Sequence, residues 1–373
     1  MLDTVILNIP RGKYKINPNM FTPNADILRG PGNFLVKCVS NPSAEDKRNN
    51  IYRPRLTMVK RMTRNGIELP LKIEFSATKI LFNNNVNEVQ DSDFENEVRT
   101  LAEQVEIMGA QVAPEVLANT NPSAFHPSKN FELTDGYTSR FVIKEIQKVN
   151  ANKKFDMDHK GFKNNGQVFQ FYTNSHSFVM YDKTRDQRKG KRAIDKDQNY
   201  IQLSLFDTLR KEKKEILRME VRLAKKVKMN EVLKKLGYKP NPTFRDIFNR
   251  ELCQKILKDY WQELVMSENL FLFDIESKAL PTLEKVFKNK PKIKPKEAIY
   301  LAGLRTLSRE GIRDTRAVIE QYASTRTWYR IADDLPFLDE LSDKMYHGWI
   351  KQINDSLDTF QPYKLSTSDQ LAM

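Results

Sequence analysis

The stretch Leu217-Arg218-Met219-Glu220-Val221-Arg222-Leu223 alternates apolar and charged side chains at every second position. This period of two predicts a β-strand, because successive side chains of a strand point to opposite faces of a sheet. The three charged residues then share one face and the apolar residues share the other. We therefore expect a sheet that buries one face in a core. Ion pairing on the strand surface is the alternative explanation of the charges.

Similar strand patterns recur along the first two thirds of the chain. They predict strands over Thr4–Ile9, Leu56–Met62, Ile67–Ser76, Tyr137–Val149 and Gln167–Lys183. The connections between them contain turn residues and charged segments, which favours antiparallel neighbours. The fold class predicted here is α+β with a mostly antiparallel sheet.

The pattern changes to helical spacing after Gly237, where apolar residues recur every three to four positions, as in Thr243–Ser267. We predict an α+β domain over residues 1–240 and a helical C-terminal region over 241–361. The polar residues 362–373 are predicted to be a disordered tail.

Two short helices and a glycine-containing turn are predicted inside that helical region. Pro295–Leu307 and Ile312–Ala323 have helical spacing, Ser308–Gly311 reads as the turn, and Trp328–Ile331 predicts a third helix. This order over 295–331 is similar to a helix-turn-helix module, and a plain helical bundle with a basic surface is the alternative. The arginines predicted to contact DNA here are Arg305, Arg309, Arg313 and Arg316, with Arg326 nearby.

The charge of the chain favours a polyanionic partner. Its 62 Lys and Arg against 48 Asp and Glu give a net charge of +14. The charges are segregated: residues 84–135 carry ten acids and two bases, whereas residues 182–228 carry sixteen bases and eight acids. A positive face of this kind is typical of nucleic-acid binding, and a solvated basic surface is the alternative.

Composition also narrows the cellular setting. The two cysteines, Cys38 and Cys253, cannot form a disulfide framework, and no apolar run reaches the length of a membrane helix. The opening residues carry an early acid and a proline rather than a signal-peptide core. We expect a cytoplasmic protein of a bacterial host that has no membrane partner.

Common enzyme motifs are absent from the sequence. It contains no Walker A motif, no glycine-rich dinucleotide fingerprint and no Cys/His zinc spacing, and its four histidines are scattered. A metal site would therefore depend on carboxylates, which favours Mg²⁺ or Mn²⁺. Glu74 and Glu220, each set among apolar neighbours in a predicted strand, are the leading ligand candidates, and Glu145 is a weaker one.

Tyr181 is the strongest candidate for chemistry. It lies near the end of a predicted strand, and Lys183 shares its face two residues later. A phenol has an ordinary pKa of about 10, so a nearby ammonium group would help it to act as a nucleophile. The same ammonium would stabilise charge on a phosphate undergoing attack. A structural tyrosine beside a solvated lysine is the alternative.

The order of these segments resembles the replication initiator (gene-two) proteins of filamentous phages, relatives of the rolling-circle plasmid initiators. The resemblance covers roughly residues 1–270. Its blocks are Leu2–Pro10, Lys72–Leu81 followed by Asn85, Val179–Lys183, and Leu217–Leu223 followed by Leu233–Gly237. The family's metal-site aspartate usually follows an Arg in a strand like Ser139–Val142, where this chain has Val142.

The resemblance implies a nickase that cuts and rejoins one strand of a replication origin. Tyr181 would attack the scissile phosphate and keep the 5′ end as a phosphotyrosyl ester. The partners implied are double- and single-stranded origin DNA, a host helicase and a host polymerase. A mobilisation relaxase or transposon-type nickase, and a DNA-binding regulator without activity, remain alternatives. Contacts with the DNA backbone are predicted from Arg185, Arg188, Lys189, Lys191, Arg192, Arg218 and Arg222.

Overall fold

The computed structural model describes most of the chain with side chains. The described residues are 1–30, 32–34, 36–49, 51–63, 66–149, 160–163, 168–184, 214–267, 279–341 and 347–365. The strands are β1 (Leu2–Ile9), β2 (Lys15–Ile16), β3 (Lys37–Ser40), β4 (Arg55–Val59), β5 (Arg61–Thr63), β6 (Gly66–Glu68), β7 (Leu71–Ser76), β8 (Ala110–Gln111), β9 (Pro122–Leu133), β10 (Lys160–Lys163), β11 (Val168–Tyr172), β12 (His176–Asp182) and β13 (Glu215–Leu223).

A nine-stranded sheet organises the described chain. Its strand order is β10-β11-β12-β13-β9-β1-β7-β4-β3, and all its neighbouring pairs are antiparallel. Two further pairs, β2 with β8 and β5 with β6, form small separate sheets. The predicted α+β class with a large antiparallel sheet is therefore confirmed.

Helices flank the sheet and make up the described secondary structure after β13. They are α1 (Ala44–Arg48), α2 (Ala77–Phe82), α3 (Phe94–Ile107), α4 (Pro114–Asn119), α5 (Ser139–Ile146), α6 (Lys226–Lys235), α7 (Phe244–Ile247), α8 (Arg250–Trp261), α9 (Ala279–Asn289), α10 (Pro295–Tyr322), α11 (Thr325–Ala332), α12 (Leu335–Glu340) and α13 (Gly348–Thr359). The helical spacing predicted over Thr243–Ser267 is confirmed by α7 and α8.

The central strand β9 was not predicted from the sequence. It contains Pro122 and Pro127 and polar residues typical of loops. Proline cannot donate to a strand ladder, and the pairing of β9 with β1 is indeed irregular near Pro127. Beyond that point the amides of Ser128 and Asn130 donate to the Met1 carbonyl (2.9 Å) and the Glu88 carboxylate (2.6 Å). These contacts satisfy the β9 amides at the positions where β1 no longer pairs with them.

The strand predicted over Tyr137–Val149 is wrong, because this segment contains helix α5. The Thr138 side chain accepts a hydrogen bond from the Phe141 amide and caps the helix. Val142, Ile143 and Ile146 are all buried, and their spacing of one and three residues fits one face of a helix. Glu145 is therefore a helical residue.

The main core lies on one face of the sheet. Alternate residues of the strands are fully buried there, and α3, α5, α8 and α13 cover them. The strand side chains in this core include Val5, Ile73, Phe125, Phe178, Met180, Met219 and Val221. The opposite face of β12 and β13 carries polar residues, as the alternation of Leu217–Leu223 predicted.

The helical part of the chain contributes to two hydrophobic cores. Trp349 and Ile353 of α13 are buried in the main core together with Ile256 of α8. The buried residues of a second core, which include Val286 and Trp328, lie between positions 286 and 341. In the chain, this second core therefore falls between helices that pack on the sheet.

The predicted helix-turn-helix order is only partly reproduced. Helix α10 spans both predicted helices, and its single non-helical residue is Gly311, with φ 148° and ψ 113°. The left-handed half of the φ range is accessible to glycine without a side-chain clash, so the break falls at the glycine of the predicted turn. Helix α11 follows after the extended residues Ala323 and Ser324.

Glu97 on α3 is a buried acid outside the candidate site. Its side chain has no exposed surface, and among the described residues neither carboxylate oxygen has a hydrogen-bond partner. Burial, reinforced by Asp93, raises the pKa of Glu97 well above its ordinary value. The stability that the protonated form contributes is present at acidic pH and is lost as the pH rises through the folded-state pKa.

We therefore expect Glu97→Gln to unfold like the parent protein at pH 4 and to be more stable than it at pH 8, by about 1–2 kcal/mol. The variant keeps the shape of the side chain but needs no proton. Urea unfolding at the two pH values measures the difference. Glu95→Gln, an exposed neighbour on the same helix, is the control, and an equal pH dependence in both variants would contradict the prediction.

Among the described residues, none of the helices combines the length and the apolar character needed to cross a membrane.

Candidate active site on the polar face of the sheet

Tyr181 lies on the polar face of the sheet, near the end of β12. Its register partner on β13 is Arg218, and Val179 is opposite Glu220 in the same pairing. Because antiparallel partners share a face, Tyr181 stands beside the line formed by Arg218, Glu220 and Arg222. We call these three β13 residues the charged row.

Arg218 is a fully enclosed cation at the Tyr181 end of the charged row. Its side chain is 1% exposed, and its guanidinium forms an ion pair with Asp3 at 2.9 Å. It also donates to the Asn85 carbonyl at 2.8 Å and to the Ser128 hydroxyl at 2.9 Å. Burial lowers the pKa of Arg218, but the negative charges of Asp3, Tyr181 and Glu220 outweigh it and the net pKa is raised. This cation therefore stays charged despite its burial.

Glu220 occupies the middle of the charged row. It is 2% exposed and contacts the Arg222 guanidinium at 2.9 Å and His126 Nδ1 at 3.2 Å. Burial raises the pKa of this carboxyl, yet Arg222, the His126 hydrogen bond and Arg218 together hold it well below its ordinary value. Glu220 is thus ionised, and its ion pair holds the Arg222 guanidinium in position.

Lys183 completes the positive surroundings of Tyr181. Its side chain is 1% exposed, and its ammonium nitrogen lies 5.4 Å from the centroid of the Tyr181 ring. The backbone amide of Lys183 donates to the Ile216 carbonyl at 2.8 Å, which continues the β12–β13 ladder past Asp182. The predicted proximity of the phenol and the ammonium is therefore present in the structure.

Two guanidinium N–H groups of the charged row have no acceptor among the described residues. They are Nε–H of Arg218 and Nε–H of Arg222, both buried. A buried donor without a partner costs about 1–3 kcal/mol, which is why such groups often mark ligand sites. Arg218 and Lys183 place cationic groups beside the phenol, and Arg222 adds another farther along the row; such groups suit the oxygens of phosphates.

The three predicted metal ligands do not share one site. Glu74 on β7 and Glu220 on β13 are separated by β1 and β9, so three strand spacings of roughly 4.8 Å place them at least about 14 Å apart, and their registers offset them further along the strands. Glu145 lies on α5, which packs against the opposite, apolar face of the sheet. Glu74 pairs with Lys72 at 2.9 Å and Glu145 with Lys148 at 2.8 Å. These three carboxylates therefore do not meet at one position, and the expected Mg²⁺ or Mn²⁺ stays a prediction.

Within the described ranges, no group of three or more His, Cys, Asp and Glu side chains could hold a metal ion. The groups with chemical potential on the polar face are the arginines, Lys183 and Tyr181.

The residues predicted to contact DNA differ in their exposure to solvent. Arg222 is half-exposed, with 38% of its side-chain surface accessible, whereas Arg218 and Arg305 are buried. Arg305 donates to the Leu338 carbonyl at 2.9 Å inside the second core, so this arginine stabilises the fold rather than facing solvent. Outside the described residues lie Arg185, Arg188, Lys189, Lys191 and Arg192.

Several residues of the site were missed by the sequence analysis. In the sequence, Asp3 is one residue of the opening block Leu2–Pro10, and His126 is one of four histidines without a common spacing. Asn85 and Ser128 contribute a backbone carbonyl and a hydroxyl to Arg218. The one available signal was Asp3, an acid inside an apolar strand, which requires a cationic partner when it is shielded from water.

Comparisons with known proteins add no assignment. No protein-family model matches the chain, and neither a curated protein nor a solved structure matches it.

The charge state of Glu220 leads to a prediction on pH. A carboxyl whose pKa is lowered by folding contributes stability above its unfolded pKa, near 4.3, and loses it as the pH falls through the folded value. We expect Glu220→Gln to lower the free energy of unfolding by about 3 kcal/mol at pH 7, with the difference shrinking steadily below pH 4. Urea unfolding across this range measures it. Glu251→Gln, which removes the carboxylate of an exposed ion pair with Lys255, is the control. The prediction would be contradicted if the difference in unfolding free energy between Glu220→Gln and the parent stayed constant down to pH 2.

Proposed function

We propose that this chain is a DNA nickase that initiates rolling-circle replication, with Tyr181 as its nucleophile. The phenol stands next to Arg218 in register and within reach of Lys183. The observation that carries the proposal is the pair of acceptor-free guanidinium N–H groups on the charged row beside it. Together they supply a nucleophile and a binding place for the phosphate that it attacks.

The proposed reaction is a transesterification. The Tyr181 oxygen forms a bond to the scissile phosphorus, and the bond from that phosphorus to the 3′ oxygen breaks. The phenol proton leaves to solvent and the departing 3′ oxygen takes up a proton, so that a 3′-OH and a 5′-phosphotyrosyl ester result. Reversal of these steps with another 3′-OH would rejoin the strand, which is how rolling-circle initiation recovers a closed circle.

The charged row and Lys183 have separate tasks in this proposal. Arg218 and Lys183 stabilise the phenolate, because both cations are buried beside it and little water screens their charge. The acceptor-free Nε–H of Arg218 binds the scissile phosphate, whose charge increases in the transition state, and that of Arg222 binds a phosphate farther along the strand. Glu220 and Asp3 hold these guanidiniums in place without contacting the DNA.

The test is a search for the covalent ester. The protein is incubated with its supercoiled origin plasmid and with single-stranded origin oligonucleotides, with Mg²⁺ in one arm and EDTA in the other. We expect open-circular plasmid and a peptide around Tyr181 whose mass is increased by the bound oligonucleotide. An adduct on another residue, or none on either substrate, would overturn the proposal.

One observation favours a second candidate, a DNA-binding regulator without activity. Tyr181 is only 8% exposed, which is compatible with a purely structural tyrosine. This candidate shares the basic surface but predicts stable DNA binding with no covalent product even on single-stranded DNA. The adduct assay therefore separates the two functions directly.

The second core is proposed to bind the origin duplex. The proposed duplex contacts are Arg326 and Arg330 on α11, which are exposed and form no ion pair within the described residues, whereas Arg305 is buried. Arg316 is held by Glu320 at 2.9 Å. Helix α11 begins after a two-residue extended turn, as the second helix of a helix-turn-helix does.

We expect Arg326→Ala combined with Arg330→Ala to weaken binding to the origin duplex about tenfold and to lower the salt slope by nearly 2, because each lost phosphate contact contributes about 0.9. Fluorescence anisotropy over a range of salt concentrations measures both quantities. Adduct formation on a single-stranded oligonucleotide should persist. Unchanged duplex affinity and slope would show that α11 does not contact the DNA. Lys239→Ala with Lys351→Ala removes the same charge as a control.

A further inference from the structure

A cleft of mixed polar and apolar lining lies where β1, α4, the start of β9 and the start of α6 meet. Its volume is about 590 Å³, within the range of pockets that hold small molecules and larger than an isolated phosphate needs. Asn8, Lys13 and Lys226 line it together with Glu115 and Asn119. None of these residues takes part in the chemistry proposed above.

The cleft is suited to an anion that also carries hydrogen-bonding groups. Lys13 and Lys226 are exposed and form no ion pair with any described residue, and the one lining acid, Glu115, is hydrogen-bonded to Asn119. Asn8 is half-buried and its side-chain amide has no hydrogen-bond partner within the described chain. An amide can donate and accept at once, which is the pattern that a base edge presents.

The position of the cleft relates it to the charged row. β13 runs from Arg218, beside Tyr181, to Arg222, and Lys226 follows four residues later at the start of α6. At about 3.3 Å per residue, Arg222 stands roughly 13 Å from Arg218, and the cleft lies beyond it. A strand that passes along the row from Tyr181 would therefore reach the cleft within a few nucleotides.

We infer that this cleft binds one nucleotide of single-stranded DNA at a fixed distance from the cut. Its phosphate lies between Lys13 and Lys226, and the edge of its base meets the Asn8 amide. The inference rests on the proposed function in one respect, namely that the strand runs along the charged row. A single strand is required because a base must leave its stack and its pairing partner to enter a cleft.

The first experiment measures binding without cleavage. All variants are made in full-length Tyr181→Phe protein, and the probe is a fluorescein-labelled, mixed-sequence single-stranded DNA. We expect Lys13→Ala with Lys226→Ala to weaken binding about tenfold and to lower the salt slope by about 0.7, the value for one phosphate on a single strand. The charge-matched pair Lys239→Ala and Lys351→Ala should leave the slope unchanged. Equal slopes in both double variants would overturn the inference.

The second experiment locates the nucleotide and tests base contact. Oligonucleotides carrying one 5-iodouracil are photo-crosslinked, and we expect the modified peptide to contain a cleft residue such as Asn8 or Asn119. Asn8→Ala should reduce the affinity differences between homopolymeric probes while its melting temperature stays at the parent value. A crosslink confined to other parts of the chain would overturn the inference, and so would displacement of the probe by excess free deoxynucleoside monophosphates.

These outcomes are distinguishable from failure of the proposed function. If the lysine variants alter the salt slope and the crosslink maps to the cleft, but wild-type protein forms no adduct, the cleft is a nucleotide site of a binding protein. If the adduct forms at Tyr181 but the slope and crosslink do not involve the cleft, the nickase stands and the cleft assignment is rejected.

Discussion

Tyr181→Phe is expected to abolish the covalent DNA adduct and to lower origin nicking by at least about a thousandfold, as the loss of a nucleophile does in other enzymes. The change removes one oxygen from a side chain that is 8% exposed and leaves the ring in place against Lys183. Because the packing is retained, the cost in folding free energy should be only about 1 kcal/mol, the usual contribution of one hydrogen bond. Denaturing gels of plasmid and protein–oligonucleotide products measure the activity.

The matched control for this prediction is Tyr172→Phe. Tyr172 lies on β11, and its register partner Ser177 belongs to the same face of β12 as Tyr181. The control therefore loses a phenol hydroxyl from the same sheet face without touching the proposed nucleophile. We expect it to keep nicking and adduct formation within about twofold of the parent protein. Equal nicking by both variants would remove Tyr181 from the reaction.

Arg218→Met is expected to cause the largest loss of stability, about 3–5 kcal/mol. Arg218 is 1% exposed and supports Asp3, the Asn85 carbonyl and the Ser128 hydroxyl at once. Methionine is similar in length but has no hydrogen-bond donors. The change therefore removes one donor each from Asp3, the Asn85 carbonyl and the Ser128 hydroxyl, and it also removes a positive charge near Glu220. Urea unfolding at pH 7 measures the change.

Two further variants show whether the loss comes from the buried charge. Combining Arg218→Met with Asp3→Asn should be less damaging than the sum of the two single changes, since both act on one ion pair. Arg245→Met removes an ion pair of comparable distance to Glu95, 2.7 Å, but on the exposed surface. It should cost less than about 1 kcal/mol. A similar loss for Arg245→Met and Arg218→Met would contradict a special role for the buried guanidinium.

The sequence was most informative where the pattern is local. The alternation in Leu217–Leu223 predicted a strand with one charged and one apolar face, and β13 has that form because side-chain direction depends only on position along the strand. The same rule placed Tyr181 and Lys183 on one side of β12. The helix break at Gly311 was also predictable, since it depends on the backbone freedom of one residue.

Local patterns failed where two structures compete for the same residues. Tyr137–Val149 is apolar enough for a strand, and only packing of Val142 and Ile146 against the core selects the helix. β9 has prolines and polar residues typical of a loop, yet it becomes the centre of the sheet because β13 pairs along nearly its whole length. In both cases tertiary contacts outweigh the weak intrinsic preference of the segment.

What the sequence by itself determined is therefore the alternation of single strands, the charge of the chain and the presence of Tyr181 beside Lys183. Only the tertiary structure decided which charges meet. It brought Asp3 to Arg218 and His126 to Glu220, and it placed two strands between Glu220 and Glu74. The physical reason is that strand order and register are set by burial across the whole sheet, so residues more than ninety positions apart become neighbours without any local trace in the sequence.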